Sequence, residues 1–409
     1  MIWQLRDRRR QSCTEASRGS ETDVGPLHGL RVLEIASAAP APFACMMLAD
    51  MGADVLRIDR PVGGAPSEVA PDPELDPLGR GRESICLDLK SLTGIEVVLD
   101  LAERADILVE GFRPGVMERL GLGPDVLLAR NPALIIGRMT GWGQDGPLAP
   151  RAGHDINYIG IAGALHPIGP AGEPPVVPLN LIGDFGGGGM LLTVGLLAAL
   201  VERTSSGVGQ VVDAAMVDGA SLLLVSIRGM RDAGTWVDGR EANLLDGGAP
   251  FYATYETADG GYMSVGALEP QFYRRLVQGL GIDPADLPPR MARGRWPELR
   301  IAFAAAFKAR TRAEWSAIFS ELDACVFPVL EMAEVPAHEH VAARSGFVPL
   351  GDTVQPAPAP RFSRTASAVR SPAPRVGEYD SEVLTRWQLD DDARDRLQAA
   401  VQLGGAQTG

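Results

Sequence analysis

Short apolar runs alternate with longer segments of helical spacing from Gly29 onward. "LRVLEIA" (30–36) is continuous and brief, as a strand covered on both faces would be. "PFACMMLADMG" (42–52) repeats its apolar positions at helical spacing and stops on glycine. "ADVLRID" (53–59) is a second strand. Strand, helix and strand make one βαβ unit, with parallel strands and a right-handed crossover. "SICLDL" (84–89), a helix over "TGIEVVLDLAERA" (93–105), "DILVEG" (106–111) and "ALIIGRM" (133–139) continue the alternation, while the Pro-, Asp- and Gly-rich region 62–78 reads as a loop. The expected fold class is α/β: a doubly wound parallel sheet that meets its ligand at the C-terminal ends of its strands.

Further along, "FGGGGMLLTVGLLAALV" (185–201) holds 17 uncharged residues, at the short limit for a membrane span. Asp184 before it and Glu202-Arg203 after it favour a helix buried between layers. "GQVVDAAM" (209–216) is another strand and "VDGASLLLVSIRGM" (217–230) another helix. The pattern then changes. "APFYATYETADGGYMSVGA" (249–267) alternates aromatic and polar residues around Asp259-Gly260, a hairpin signal that opens a separate small α+β domain. Helical patterns such as "WPELRIAFAAAFKART" carry that domain to about residue 335. The Pro-rich "QPAPAPRFSRTASAVRSPAPR" (355–375) leads to a short amphipathic helix near 390–401.

At 409 residues the chain is long enough for two domains, and 45% hydrophobic with 22% charged residues is ordinary globular composition. A formal charge of −14 argues against nucleic acid and against attachment to anionic membranes by charge. Lysine occurs only at Lys90 and Lys308, so a pocket for an anionic ligand must be built from arginine. Cys13, Cys45, Cys86 and Cys325 are dispersed without a CxxC and read as reduced thiols of a cytoplasmic protein, with no metal site. Residues 1–26 lack the apolar core of a secretion signal and read as a disordered extension or a misplaced start.

The turn after the first strand, "ASAAPAPFA", has no glycine where a dinucleotide fingerprint needs three, so nicotinamide or flavin binding in the usual mode is not expected. "RAGHDINYIG" (151–160) places one of only five histidines, His154, beside Asp155. Two readings stand: Asp155 caps a helix over 156–165 and His154 is a satisfied loop residue, or His154 is a base tuned near neutrality. Asp184 in "NLIGDFGGGG" reads as a helix cap, and the glycines behind it would also let a ligand reach unpaired N–H groups that favour a developing oxyanion. Glu269 in "VGALEPQFY" reads by itself as a surface loop residue. Arg57, Arg60, Arg80, Arg82, Arg113 and Arg119 are surface charges or, for Arg60, Arg82 and Arg113, loop residues beside strands where a phosphate-rich ligand would lie. No GxSxG, HExxH, Walker A or SxxK pattern supports a hydrolase or kinase.

In order, "GLRVLEIA", "MGADVLRIDRP", "SICLDLK", "ADILVEGFRPGVMERLGLGP", "RMTGWGQDGPLAPRAGHDINYIGIAGALHPIG", "NLIGDFGGGGM", "LLDGGAPFYATYETADGGYMSVGALEPQFY" and "DACVFPVLEMAEVPAHEHV" resemble the family III CoA-transferase superfamily from Leu27 to the C-terminal helix. "GHDINY" and "LEPQFY" resemble its α-methylacyl-CoA racemase branch. The resemblance implies a Rossmann-like large domain (27–235), a small α+β domain (245–340) and a C-terminal connector and helix (341–409) returning to the large domain. It also implies a homodimer of interlocked rings with the CoA thioester held between domains. His154 paired with Glu269, and Asp184 on the opposite face, would be the two bases of a 1,1-proton transfer at C2 of a 2-methylacyl-CoA. Asp155 stands where the transferases carry the aspartate that attacks the acyl carbonyl, which keeps CoA transfer through an anhydride as the alternative. A non-catalytic acyl-CoA-binding protein is a third class. Arg60, Arg82, Glu110, Gly111, Arg113 and Arg119 fall in segments that hold CoA, and no cofactor beyond the substrate's own CoA is implied. Three departures stand out: "SLLLVSIRGM" has one methionine where the family often has several, the loop at 62–78 is longer than usual, and Tyr379 replaces a frequent histidine.

Overall fold

The computed structural model describes residues 25–37, 39–61, 75–379 and 382–405, with the side chains of 384 and 402–405 left out. The expected extension, up to residue 24, and most of the 62–78 loop lie outside these residues, as does Cys13. The chain divides into two compact units. One comprises the chain up to Ala152, Asp184–Met216 and Ser345 onward; the other comprises Gly153–Gly183 and Val217–Arg344. The units interleave along the chain.

The first unit is built on six parallel strands: β1 (Arg31–Ile35), β2 (Asp54–Asp59), β3 (Arg82–Cys86), β4 (Ile107–Glu110), β5 (Ile135–Thr140) and β6 (Val211–Ala215), in the order 3-2-1-4-5-6. This is the doubly wound order, and the topological switch point lies between β1 and β4. All four β4 residues and all six of β5 are buried, as strands covered on both faces must be. α1 (Pro40–Asp50) follows β1 and α2 (Leu92–Ala102) follows β3. Ser91 caps α2 by accepting the Gly94 N–H at 3.0 Å.

After β5 the chain enters the second unit through α3 (Asp155–Ala162). It returns along one continuous helix whose opening, Leu181–Met190, is π-helical and whose remainder is α4 (Leu191–Ser206). By length and composition this helix could cross a membrane, yet it is not wholly buried between layers as expected. Leu192 and Leu196 pack on β5, where a Cβ at Gly137 would stand 3.0 Å from each, while Met190, Val194 and Val201 on the same helix are exposed.

The expected helix over 217–230 is two helices, α5 (Met216–Leu223) and α6 (Val225–Asp232). In the second unit β7 (Tyr252–Glu256) and β8 (Tyr262–Gly266) form the predicted hairpin. The sequence reading missed β9 (Val326–Val329), which completes the antiparallel sheet at its edge and there tolerates Pro328. α7 (Pro270–Leu280), α8 (Trp296–Phe307) and α9 (Arg312–Ser320) supply Leu276, Phe303, Phe307 and Trp315 to a core with Tyr255, Met263 and Val265. Each fully buried side chain of this size contributes about 1.5–3 kcal/mol. The Tyr255 ring stacks on Phe307 at 5.1 Å.

The C-terminal segment belongs to the first unit. It forms the hairpin β10 (Phe347–Leu350) and β11 (Thr353–Pro356), runs along the edge strand β3, and ends in α10 (Asp391–Gly405). The Gly81 N–H donates to the Ser371 carbonyl at 2.9 Å and the Ser84 N–H to the Glu378 carbonyl at 3.0 Å, so β3 is not left as an open edge. Trp387 is fully buried in the core with Leu397, and Tyr379 packs against the same cluster. That accounts for an aromatic residue at 379.

Candidate active site

His154 is the N-cap of α3 and is exposed. Its backbone N–H donates to Asn157 Oδ1 at 3.0 Å, three residues on, which orders the helix start. Gly163, in the left-handed region at φ 83°, ends the helix. Asp155 does not cap this helix as expected. It is the first helical residue, only 5% exposed, and its Oδ1 accepts the Gly183 N–H at 2.6 Å. It therefore caps a different helix, the π-helical opening at Leu181. The first turn of any helix leaves N–H groups without partners, and a buried carboxylate is a strong acceptor for one of them. Gly183 is required for this approach: a Cβ there would stand 2.5 Å from Asp155 Oδ1.

Asp184 follows Gly183 in the chain and is half-buried. It lies within the first turn of the π-helical opening, so the expectation that it is the cap is corrected. A π-turn leaves more free N–H groups at its start than an α-turn and recurs at functional sites. Phe185 meets Phe43 of α1 edge-on at 5.0 Å and fixes the helix entry in the first unit. Of the glycines expected to admit a ligand, Gly189 is instead pressed on α1, where a Cβ would stand 2.7 Å from the Pro40 carbonyl oxygen.

Glu269 is exposed at the N-cap of α7 and makes no side-chain cap bond. Its carbonyl accepts the Tyr273 N–H at 3.0 Å, the first rung of the helix. Burial, then the charges of Asp323 and Glu269, push the Cys325 thiol upward.

The residues expected to hold CoA divide sharply. Arg82 is not in a loop: it opens β3, is buried, and pairs with Glu34 of β1 at 2.8 Å while donating to the Pro42 carbonyl. Arg80 is likewise buried and paired with Asp50 at 2.6 Å, and Arg57 pairs with Asp59 at 3.0 Å. Glu110, fully buried, accepts from Arg138 at 2.8 Å and from the Phe112 N–H at 2.7 Å. Burial pushes the Glu110 carboxyl up, and the Arg138 and Phe112 hydrogen bonds oppose that shift. Gly111 lets the ends of β1 and β4 converge at the switch point, since a Cβ there would stand 2.6 Å from Ser37 Oγ. Arg60, Arg113 and Arg119 are exposed. Among the described residues no cluster of three His, Cys, Asp or Glu could hold a metal ion.

A doubly wound sheet with arginines at its ligand-facing end, and an exposed His beside an internally bonded Asp, can be compared with known proteins. The sequence profile of CoA-transferase family III matches residues 27–380. The chain belongs to that family. It is 48% identical to the α-methylacyl-CoA racemase of Mus musculus over 370 residues, covering 90% of this chain and 94% of that one. The human α-methylacyl-CoA racemase is 46% identical, with 88% and 93% covered. A solved CaiB/BaiF family protein from Brucella suis superposes with a TM-score of 0.77 at 27% identity, covering 90% of this chain and all of the other. Within CoA-transferase family III the chain thus groups with the racemases, as "GHDINY" and "LEPQFY" led one to expect.

Several contributors escaped the sequence reading. Asn157 is visible in hindsight as the i+3 partner of a helix cap. Gly183 and Arg138 act through contacts distant in sequence, which no local spacing reveals.

Proposed function

We propose that this protein is an isomerase that interconverts the (2R) and (2S) forms of 2-methylacyl-CoA thioesters. A thioester acidifies its C2 hydrogen only weakly, so the reaction needs a base, an acid on the other face and stabilisation of the enolate oxygen. One base takes the C2 proton and the C–H electrons move into the thioester oxygen. The conjugate acid on the opposite face then returns a proton to C2, leaving the substrate inverted and the two bases exchanged in protonation. His154 serves one face, with Glu269 steadying the imidazolium, and Asp184 serves the other. Free N–H groups of the π-helical opening hold the enolate oxygen. Arg60, Arg113 and Arg119 bind the CoA phosphates, and CoA, as part of the substrate, is the only cofactor involved. The enzyme works as a homodimer, for which the exposed Met190, Val194 and Val201 offer apolar surface.

One observation carries the choice over CoA transfer. Asp155, the residue a transferase would use as nucleophile, is buried and already bonded to the Gly183 N–H, whereas His154 beside it is exposed. The test is proton NMR of 2-methylacyl-CoA esters in D₂O without any acceptor acid. Deuterium should enter C2, and hydroxylamine should trap no acyl group on Asp155. Absence of exchange with every branched ester, together with turnover only when a free carboxylic acid is added, would establish the transferase instead.

A further inference from the structure

Glu269 makes no side-chain cap bond at the head of α7, which leaves the direction of its carboxylate to the backbone that carries it. The loop before α8 supplies a candidate. Arg290 donates to the carbonyl of Leu268, the residue immediately before Glu269. The same guanidinium lies 5.7 Å from the ring of Tyr273, which is one helical turn after Glu269 and bonds to its carbonyl. It also lies over Phe251, 5.0 Å from the ring centre. Phe251 meets Tyr273 edge-on at 5.8 Å and Trp296 at 6.0 Å, and the Trp296 indole N–H donates to the Arg290 carbonyl at 2.9 Å. Arg290 is thus fixed at its backbone, held between aromatic faces, and attached on both sides of Glu269.

We propose that Arg290 is a positioning residue for Glu269, and that its planar fork sets the backbone from which the carboxylate reaches the imidazole. This rests on the reading of Glu269 as the partner of His154. A guanidinium suits the task because one plane can donate to a carbonyl and stack on a ring simultaneously, which an ammonium does less well. A displacement of about 1 Å at a reacting group costs on the order of 10²-fold in rate.

The test is a double-mutant cycle in the full-length enzyme, following kcat and KM for C2 exchange alongside thermal unfolding. Arg290→Met should lower kcat by about 10–100-fold with KM changed less than about threefold. Arg290→Lys, which keeps a donor for the Leu268 carbonyl, should recover part of the loss. In a Glu269→Gln background, Arg290→Met should cost almost nothing more, because the group it positions is already gone. If Glu269→Gln alone leaves kcat unchanged, the reading of Glu269 fails. If Glu269→Gln is slow and Arg290→Met multiplies the loss in full, the inference fails and Arg290 is only a fold residue. Should Arg290→Met not fold, the same cycle run with Arg290→Lys decides between these outcomes.

Discussion

Ionisable residues are handled in opposite ways in the six-stranded sheet and at the helix starts of the second unit. In the sheet, Arg82 with Glu34, Arg80 with Asp50 and Arg138 with Glu110 are turned inward and paired. At the heads of α3 and α7, His154 and Glu269 are exposed, and their backbones are tied down. The first arrangement commits charge to architecture, because a buried ion that loses its partner keeps its desolvation cost. The second leaves the side chain available and spends hydrogen bonds on its placement. Residues of the same type, equally plausible as ligand contacts in the sequence, therefore have different work, and burial tells them apart.

The largest expected effect that would test this contrast is on stability. Arg82→Ala strands Glu34 inside the sheet and should cost about 3–5 kcal/mol in denaturant unfolding. A loss under about 1 kcal/mol would mean the pair behaves as a surface one. Gly183→Ala should come next, pushing Asp155 off the π-helical opening and slowing C2 exchange on the order of 10²-fold, with the far-UV spectrum retained. An unaffected rate would detach the Asp155 contact from catalysis. Smallest are Arg60→Ala and Arg113→Ala. Each should raise KM for the acyl-CoA about tenfold, near 1.4 kcal/mol of binding, and shift stability by no more than about 0.5 kcal/mol. Unfolding losses comparable to that of Arg82→Ala would erase the distinction between inward and outward arginines.

The parallel sheet could be read from the chain because its signals are local. β1, β2, β4 and β5 are short apolar runs whose observed bounds fall within two residues of those expected. The hairpin of β7 and β8 announced itself through Asp259-Gly260. What stayed hidden was decided by distant contacts. Arg82 looks the same in sequence whether it faces solvent or Glu34, 48 residues away. Asp155 looks like the cap of its own helix, because the competing N–H at Gly183 arrives from 28 residues further on. The π-helical opening at Leu181 leaves no periodic trace, since glycines 186–189 carry no side chains to display one. For the site, the residue types could be read from the chain, while which arginines stay exposed could not.

The central claim is that two different residues work the two faces of one carbon. It is tested most directly by offering (2R) and (2S) 2-methylacyl-CoA separately in D₂O to His154→Ala and to Asp184→Ala, and following C2 deuteration by NMR. Each variant should lose interconversion by about 10²–10⁴-fold while still exchanging the C2 proton of a single enantiomer, and the two variants should spare opposite enantiomers. If both spare the same enantiomer, or either interconverts the two at the wild-type rate, the two-face account is wrong.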